Sequence, residues 1–475
     1  MPQLISADVD VLRGNVSGEV VVPGDPAYDE ARRVWNGGID RRPAVIVRCT
    51  DAHDVSAAVG FARAHDLEIA VRGGAHSTGG NGVVDDGLMI ELSRINGVEV
   101  DPAARRCRVG GGATLAERDT ATQEHGLATT AGIVGHTGVG GLTLGGGMGW
   151  LTRKHGLAVD NLLSVEIVTA DGEIRTASTT ENPDLFWAVR GGGGNFGVVT
   201  SFEFALHPVG PMVSLGMFFW PLDKGPDVMR LARDLFAGMS TDINILIAGV
   251  HVPPAPFVPE EHRGTPAYGL LVTGFDAEAE HQQVVGRIRD QLPPLVEMVT
   301  PIPYIQLQQM FDEANAWGFL AYDKATYLED LTEGAIAVIA AHLPRKTSPG
   351  SAMFLYRLDG AYSEVGEADT AFPGGRTPRY GMFLVAVADN QELYEADRAW
   401  VRSFWDAIQP HAMGVGSYLN AEAEYTDDRV RGSYGPEKYE RLARIKHRYD
   451  PDNVFHLNAN IPPAAQPPRQ REPVT

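Results

Sequence analysis

The sequence predicts an α+β fold, and three observations carry that reading. Strands and helices alternate in short units up to Pro208. Glycine density drops and longer amphipathic pieces begin between His207 and Pro211, which marks a domain boundary. Beyond it, apolar strand candidates are interleaved with amphipathic helices, the pattern of an antiparallel sheet backed by helices. The expected division is a first domain over 1–208, a second over 209–417, a C-terminal segment over 418–462 and a disordered Pro/Gln-rich tail over 463–475.

In the first part, AVIVRC (Ala44 to Cys49) reads as a strand. Thr50 and Asp51 then cap a helix whose Val55, Ala58, Val59 and Ala62 recur at helical spacing. LEIAVRGG and LMIELS are further strands, VEVD and RCRVGG pair around Pro102, and a helix is expected near Leu115 to His125. SVEIVTADGEIRTAS is a hairpin turning at Asp171-Gly172, a strong short-range signal. Helix PDLFWAV and strand VVTSFEFAL complete this part. In the second part SLGMFFWPL, NILIAGVHVPP, YGLLVTGF, AMFLYRL and YGMFLVAVAD read as strands, with HQQVVGRIRDQL and ELYEADRAWVRSFWDAI as helices. After Tyr418 come a helix over Lys438 to His447, the stop YDPDN and the closing LNANIPP.

The charge balance excludes some functions. The chain of 475 residues carries 61 acidic and 40 basic side chains, a formal charge of -21 that repels nucleic-acid phosphates and anionic membranes. Two cysteines, Cys49 and Cys107, build neither a disulfide framework nor a four-cysteine metal site. MPQLISADVDVLRGNV lacks the basic and apolar regions of a signal peptide, and no stretch is long and apolar enough to span a bilayer. The expectation is a cytoplasmic monomer or homodimer acting on a small molecule, with no bound metal.

Three glycine-rich segments stand out: Val71 to Gly80, Thr130 to Trp150 and Arg190 to Val199. A Rossmann reading has Asp160 at a suitable distance from Gly140. The stretch before Gly138 lacks a compact apolar strand, however, and the glycines after it disfavour a helix. Turns with exposed backbone N–H groups form anion-binding nests, and three such loops suit a pyrophosphate in an acidic protein. Taken singly, each loop reads first as a set of tight turns.

RGGAHSTGG, GHTGVGGLTLGGGMGWLTRKHGLAVDNL, NPDLFWAVRGGGGNFGVVTSFEF and YERLARIKHRYDPDNVFHLNANIPP resemble the berberine bridge enzyme-like branch of the vanillyl-alcohol oxidase flavoproteins, including bacterial hydroxynicotine oxidases. The resemblance covers almost the whole chain. It implies a two-lobed PCMH-type FAD-binding domain, built from the N-terminal part and the returning C-terminal segment, with the α/β substrate domain inserted between them. It places FAD against Arg72, Gly73, Gly74, Ala75, His76, Ser77 and Gly80 in the first motif. In the second it implicates Val134, Gly135, Gly138, Gly140, Gly141, Gly145, Gly146, Gly149, Trp150, Asp160 and Asn161, and elsewhere Gly197, Val198, Val199, Asn458 and Asn460.

The same resemblance implies an 8α bond from the flavin to His76. The cysteine that adds a second bond in some members falls on Val134, so a single link is expected. Thr137 falls at the position that gates oxygen, where a small side chain favours an oxidase; a loop threonine satisfying backbone groups reads the same way. His136 either faces the flavin or caps the loop. Alternation in a strand places Tyr418, Asn420 and Glu422 on one face, and the family's YxN tyrosine assists substrate deprotonation. A phenol of pKa about 10 would then have to be lowered to act at neutral pH; the alternative for Tyr418 is a core ring with a bonded hydroxyl. A polar group common on a substrate-domain strand of the family is replaced here by Phe354, with Tyr356 nearby.

The implied reaction is an oxidation of a C–H next to a hydroxyl or amine of a small secondary-metabolite, alkaloid or sugar-like substrate by FAD, with dioxygen as acceptor. Three alternatives stay open: a tailoring oxygenase or cyclase of natural-product biosynthesis, a non-redox ligand-binding protein, and a nicotinamide dehydrogenase.

Overall fold

In a computed structural model, which describes residues 6–414 and 416–465, the chain folds into three main sheets. Among the described residues no helix is long and apolar enough to cross a membrane. The first sheet runs Glu19–Val21, Val45–Arg48, Leu88–Glu91, Ile69–Arg72. Leu88–Glu91 is parallel to both of its neighbours. Parallel strands need a crossover, and the helix Ala52–Ala64 follows Val45–Arg48; its N-cap Asp51 accepts from the Asp54 amide.

The second sheet is antiparallel, in the order Val98–Asp101, Arg106–Gly110, Val198–Ala205, Leu162–Val168, Ile174–Ser178. The hairpin at Asp171-Gly172 forms as expected, with Gly172 at φ +81°.

The third sheet has seven antiparallel strands, all drawn from Met212–Pro221, Ile243–His251, Pro266–Gly274, Val296–Pro303, Leu320–Leu328, Ala352–Leu358 and Arg379–Ala388. Its two faces follow the period of two. Ile243, Ile245 and Ile247 share a core with helices Gly225–Phe236, Glu278–Gln291, Glu333–His342 and Gln391–Ile408. Leu246 and Ala248 instead face Trp150, Phe372 and Tyr418 of the flanking segments. The α+β class is borne out, and one face of this sheet is left to wall a cavity.

Several local expectations need correction. The glycine run does hold a short helix, Val139–Leu144. Burial of Val139 and Leu144 overrides the weak glycine propensity. Three strands of the main sheets escaped the sequence reading, the three-residue Glu19–Val21 among them. Val296–Pro303 is a half-exposed edge strand with two prolines, and Leu320–Leu328 has its apolar pattern interrupted by Asp323 and Lys324. Tyr418 to Glu422 is not a strand: Leu419–Ala421 is a 3-10 turn closed by the Ala421 amide donating to the Tyr418 carbonyl. The helix expected over Lys438 to His447 lies within Asp427–Tyr449, which breaks at Gly435 with φ +71°. At the start of the expected tail, the Ala464 amide donates to the Ala443 carbonyl, so the chain is still attached there; 466–475 lie outside the described residues. Cys49 and Cys107 are buried free thiols.

Candidate active site

A cavity of about 880 Å³ opens between the two smaller sheets and the bare face of the seven-stranded sheet. The three glycine-rich segments converge on it. Gly73, Gly74, Ala75, His76 and Ser77 line it from the loop that leaves strand Ile69–Arg72. Val134, Thr137, Gly138, Gly140, Gly141 and Gly145 line it from the second segment, and Gly197, Val198 and Val199 from the third. The first two loops touch backbone to backbone: a Cβ at Gly74 would stand 2.2 Å from the Gly138 nitrogen, and one at Gly138 would stand 2.3 Å from the Gly74 nitrogen. Only glycine permits that approach. A Cβ at Gly141 would meet nothing within 4 Å, so the short helix turns a bare backbone edge to the cavity.

His76 faces the cavity with its ring clamped from both sides. Trp35 stacks on it at 4.3 Å between centroids and 13° between planes, and the His136 ring tilts against it at 5.0 Å. Its Nε2 is closed off from solvent and has no hydrogen-bond partner. Burial first, and His136 second, push its pKa down to about 3, so the ring is a neutral nucleophile at physiological pH. Trp35 is held by its amide on the Ala75 carbonyl and by its indole Nε1 on the Asn315 carbonyl at 2.7 Å.

Tyr418 lines the same cavity. Its hydroxyl oxygen accepts from the Gly147 amide and from Asn420 Nδ2, each at 3.0 Å. Burial raises its pKa, and these two donors oppose that shift by favouring the phenolate. Asn420 also donates to the Leu142 carbonyl and lines the cavity, whereas Glu422 turns away to the Ala325 amide and Arg429. Thus the turn brings Tyr418 and Asn420 together and removes Glu422.

Other expected residues lie behind the lining. His136 does not reach the cavity; both its ring nitrogens are buried without partners, so it neither caps the loop through its ring nor faces the cavity. Arg72 points to Glu91 and the Arg33 carbonyl. Asp160 is clamped by both terminal nitrogens of Arg376, at 2.7 and 2.8 Å, and accepts from the Leu157 amide. Asn161 bonds the His155 and Leu157 carbonyls and His207. Trp150 is packed in the core. Gly80, Gly135, Gly146, Gly149 and Asn460 are likewise outside the lining, while Asn458 is in it. Gly80 has φ +71° and Gly146 φ +127°, so both serve the turns.

The sequence reading missed Gly191 to Asn195, which line the cavity inside the third glycine motif, and Gly111, whose Cβ would strike the Val199 carbonyl at 2.2 Å. The first were within sight of the motif. Trp35 carried no signal, because its partner is forty-one residues away, the separation of positions 35 and 76.

The described lining contains no Asp, Glu, Lys or Arg, so a bound diphosphate would be met by backbone amides. The glycine cradle and the partnerless, neutral His76 fit FAD. Such a site defines a flavin-linked oxidoreductase. The chain matches the FAD binding domain family over residues 43–178 and the family described as Berberine and berberine like over 417–462. It is 37% identical over 486 residues to FAD-linked oxidoreductase pgmH of Aspergillus terreus, covering 96% of each chain. It is 30% identical over 468 residues to (R)-6-hydroxynicotine oxidase of Paenarthrobacter nicotinovorans, covering 94% of this chain and 97% of that one. The crystal structure of 6-hydroxy-D-nicotine oxidase from Arthrobacter nicotinovorans superposes with TM-score 0.83 at 28% identity, over 94% of this chain and 98% of that one. The chain belongs to the berberine bridge enzyme-like FAD-linked oxidoreductases.

Proposed function

We propose that this enzyme is an oxidase that holds FAD on a single covalent bond to His76 and oxidises a C–H next to a hydroxyl or amine of a small molecule. The observation that carries this reading is that His76 and Tyr418 line one cavity, the first as a neutral nucleophile in a glycine cradle, the second with its hydroxyl oxygen held by two N–H donors. Val134 lines the cavity without a thiol, which supports one bond rather than two. The backbone of Gly73 to Ser77, Gly138 to Gly141 and Gly191 to Asn195 would hold the cofactor, with Asn458 beside the last of these.

FAD held there would supply the acceptor for the hydride of the C–H bond, and those two electrons, with that hydrogen and the proton removed from the hydroxyl or amine, would reduce dioxygen to hydrogen peroxide. Tyr418 takes the proton of the substrate hydroxyl or amine. Burial favours the phenol, so Tyr418 acts as base from the fraction that has already released its proton to solvent, a phenolate that the Gly147 and Asn420 donors stabilise. Thr137, small and in the lining, leaves oxygen access to the reacting side. That relatives are named oxidases supports the choice of acceptor.

The test is anaerobic mixing of the yellow protein with candidate substrates. Loss of the flavin colour, and its return on admitting air with stoichiometric peroxide, is the expected result. Colour that returns only with an added dye or quinone would make the enzyme a dehydrogenase.

A further inference from the structure

We infer that the substrate is an uncharged aromatic hydroxy compound, bound on an aromatic wall that runs across the seven-stranded sheet to Tyr418. This rests on the flavoenzyme reading above and adds the substrate class. Phe354 and Phe383 are directly opposite each other on neighbouring strands. Rings meet edge to face in two groups that this register brings side by side: Phe311 on Phe354 at 5.7 Å, and Tyr356 on Phe383 at 5.3 Å with Phe383 on Tyr418 at 5.7 Å. Edge-to-face geometry at these separations is the favoured arrangement for aromatic pairs, and a further aromatic ring extends it at no polar cost.

The chemistry of the lining narrows the class. Met217, Phe219, Ala248, Val250, Val385 and Val387 line this side of the cavity, with His251 and Ser351 at its edge, and no described lining residue is an Asp, Glu, Lys or Arg. An ammonium group would shed its water against a surface with no carboxylate to replace it. An oligosaccharide would leave most of its hydroxyls without partners, which costs more than the stacking returns. One hydroxyl is provided for, because the wall ends on Tyr418, with Tyr356 two rings away.

Three probes separate these classes: naphthalene-2-methanol, its ammonium analogue naphthalen-2-ylmethylamine at neutral pH, and cellobiose. Binding is measured by calorimetry on the holoprotein reduced with dithionite under anaerobic conditions, so that no turnover intervenes. The alcohol is expected to bind at least about tenfold more tightly than either of the others, equivalent to about 1.4 kcal/mol. Phe354→Glu should narrow or invert the preference for alcohol over ammonium by at least about tenfold, while Phe354→Leu should preserve it. Equal or tighter binding of the ammonium or of cellobiose, or no binding of the alcohol, overturns the assignment. A holoprotein that makes no peroxide would count against the oxidase reading alone, since the binding comparison is made anaerobically on the reduced enzyme and needs no oxygen.

Discussion

Asn420 Nδ2 donates to the Tyr418 hydroxyl oxygen at 3.0 Å, across a single 3-10 turn, and the Gly147 amide donates to the same oxygen at the same distance. Both bonds are made to the oxygen and both favour its anionic form. Tyr418→Phe keeps the ring on Phe383 and Phe372 while removing the hydroxyl proposed as proton acceptor. Flavin content should survive and anaerobic flavin reduction should slow by about 100- to 10,000-fold. Asn420→Ala removes one donor, so the alkaline rise of the reduction rate should move to higher pH. An unmoved pH profile would leave Asn420 as packing.

The oxygen prediction concerns Thr137, which lines the cavity beside the Gly74–Gly138 contact. Thr137→Leu should slow reoxidation of reduced enzyme by dioxygen and leave anaerobic reduction by substrate nearly unchanged. Stopped-flow traces of the two half-reactions separate these effects. Equal reoxidation in both proteins removes Thr137 from the path of oxygen.

Bonding of the flavin to one ring nitrogen would leave the His76 imidazole with a proton to shed, and the His136 ring, tilted against it at 5.0 Å, is placed to receive it. Its nitrogens are free of partners and closed to water. His136→Ala should therefore still bind FAD, but a larger fraction should be released on denaturation. Full covalent retention would reduce His136 to a packing residue.

Much of this site was legible in the sequence, and the failures have a common cause. His76, Thr137, Tyr418 and the converging glycines lie in motifs whose chemistry is local. Asp160 and Arg72 read as cofactor residues because their partners were invisible: Arg376 lies 216 positions from Asp160, and Glu91 is on the next strand. Alternation of Tyr418, Asn420 and Glu422 suits a strand equally well; the turn is decided by hydrogen bonds that period alone does not encode. Strand Leu320–Leu328 was obscured for a related reason, since Asp323 and Lys324 are buried or half-buried polar groups whose partners come from other elements.

Asp323 also gives the protein a pH dependence. Its carboxyl accepts from the Thr78 hydroxyl at 2.8 Å, next to the His76 loop, with Glu422 and Lys324 nearby. Burial, only partly offset by Thr78, raises its pKa to about 7. The unfolded chain releases that proton near pH 4. Between about pH 4 and 7 the folded state therefore holds more protons than the unfolded one, and this group's contribution to stability is full below that window and lost as pH rises through it. Denaturant midpoints for Asp323→Asn should lack that slope. An identical slope in the variant would show that Asp323 is already ionised.

The covalent bond proposed at His76 is tested most directly by denaturation. Protein precipitated with acid should keep its yellow colour, its band should fluoresce in a denaturing gel, and the flavin should map by peptide mass analysis to the segment containing His76. His76→Ala should release all its flavin under the same treatment. Colour passing wholly to the supernatant of the unmodified protein, or a flavin mapped to another residue, would contradict the assignment.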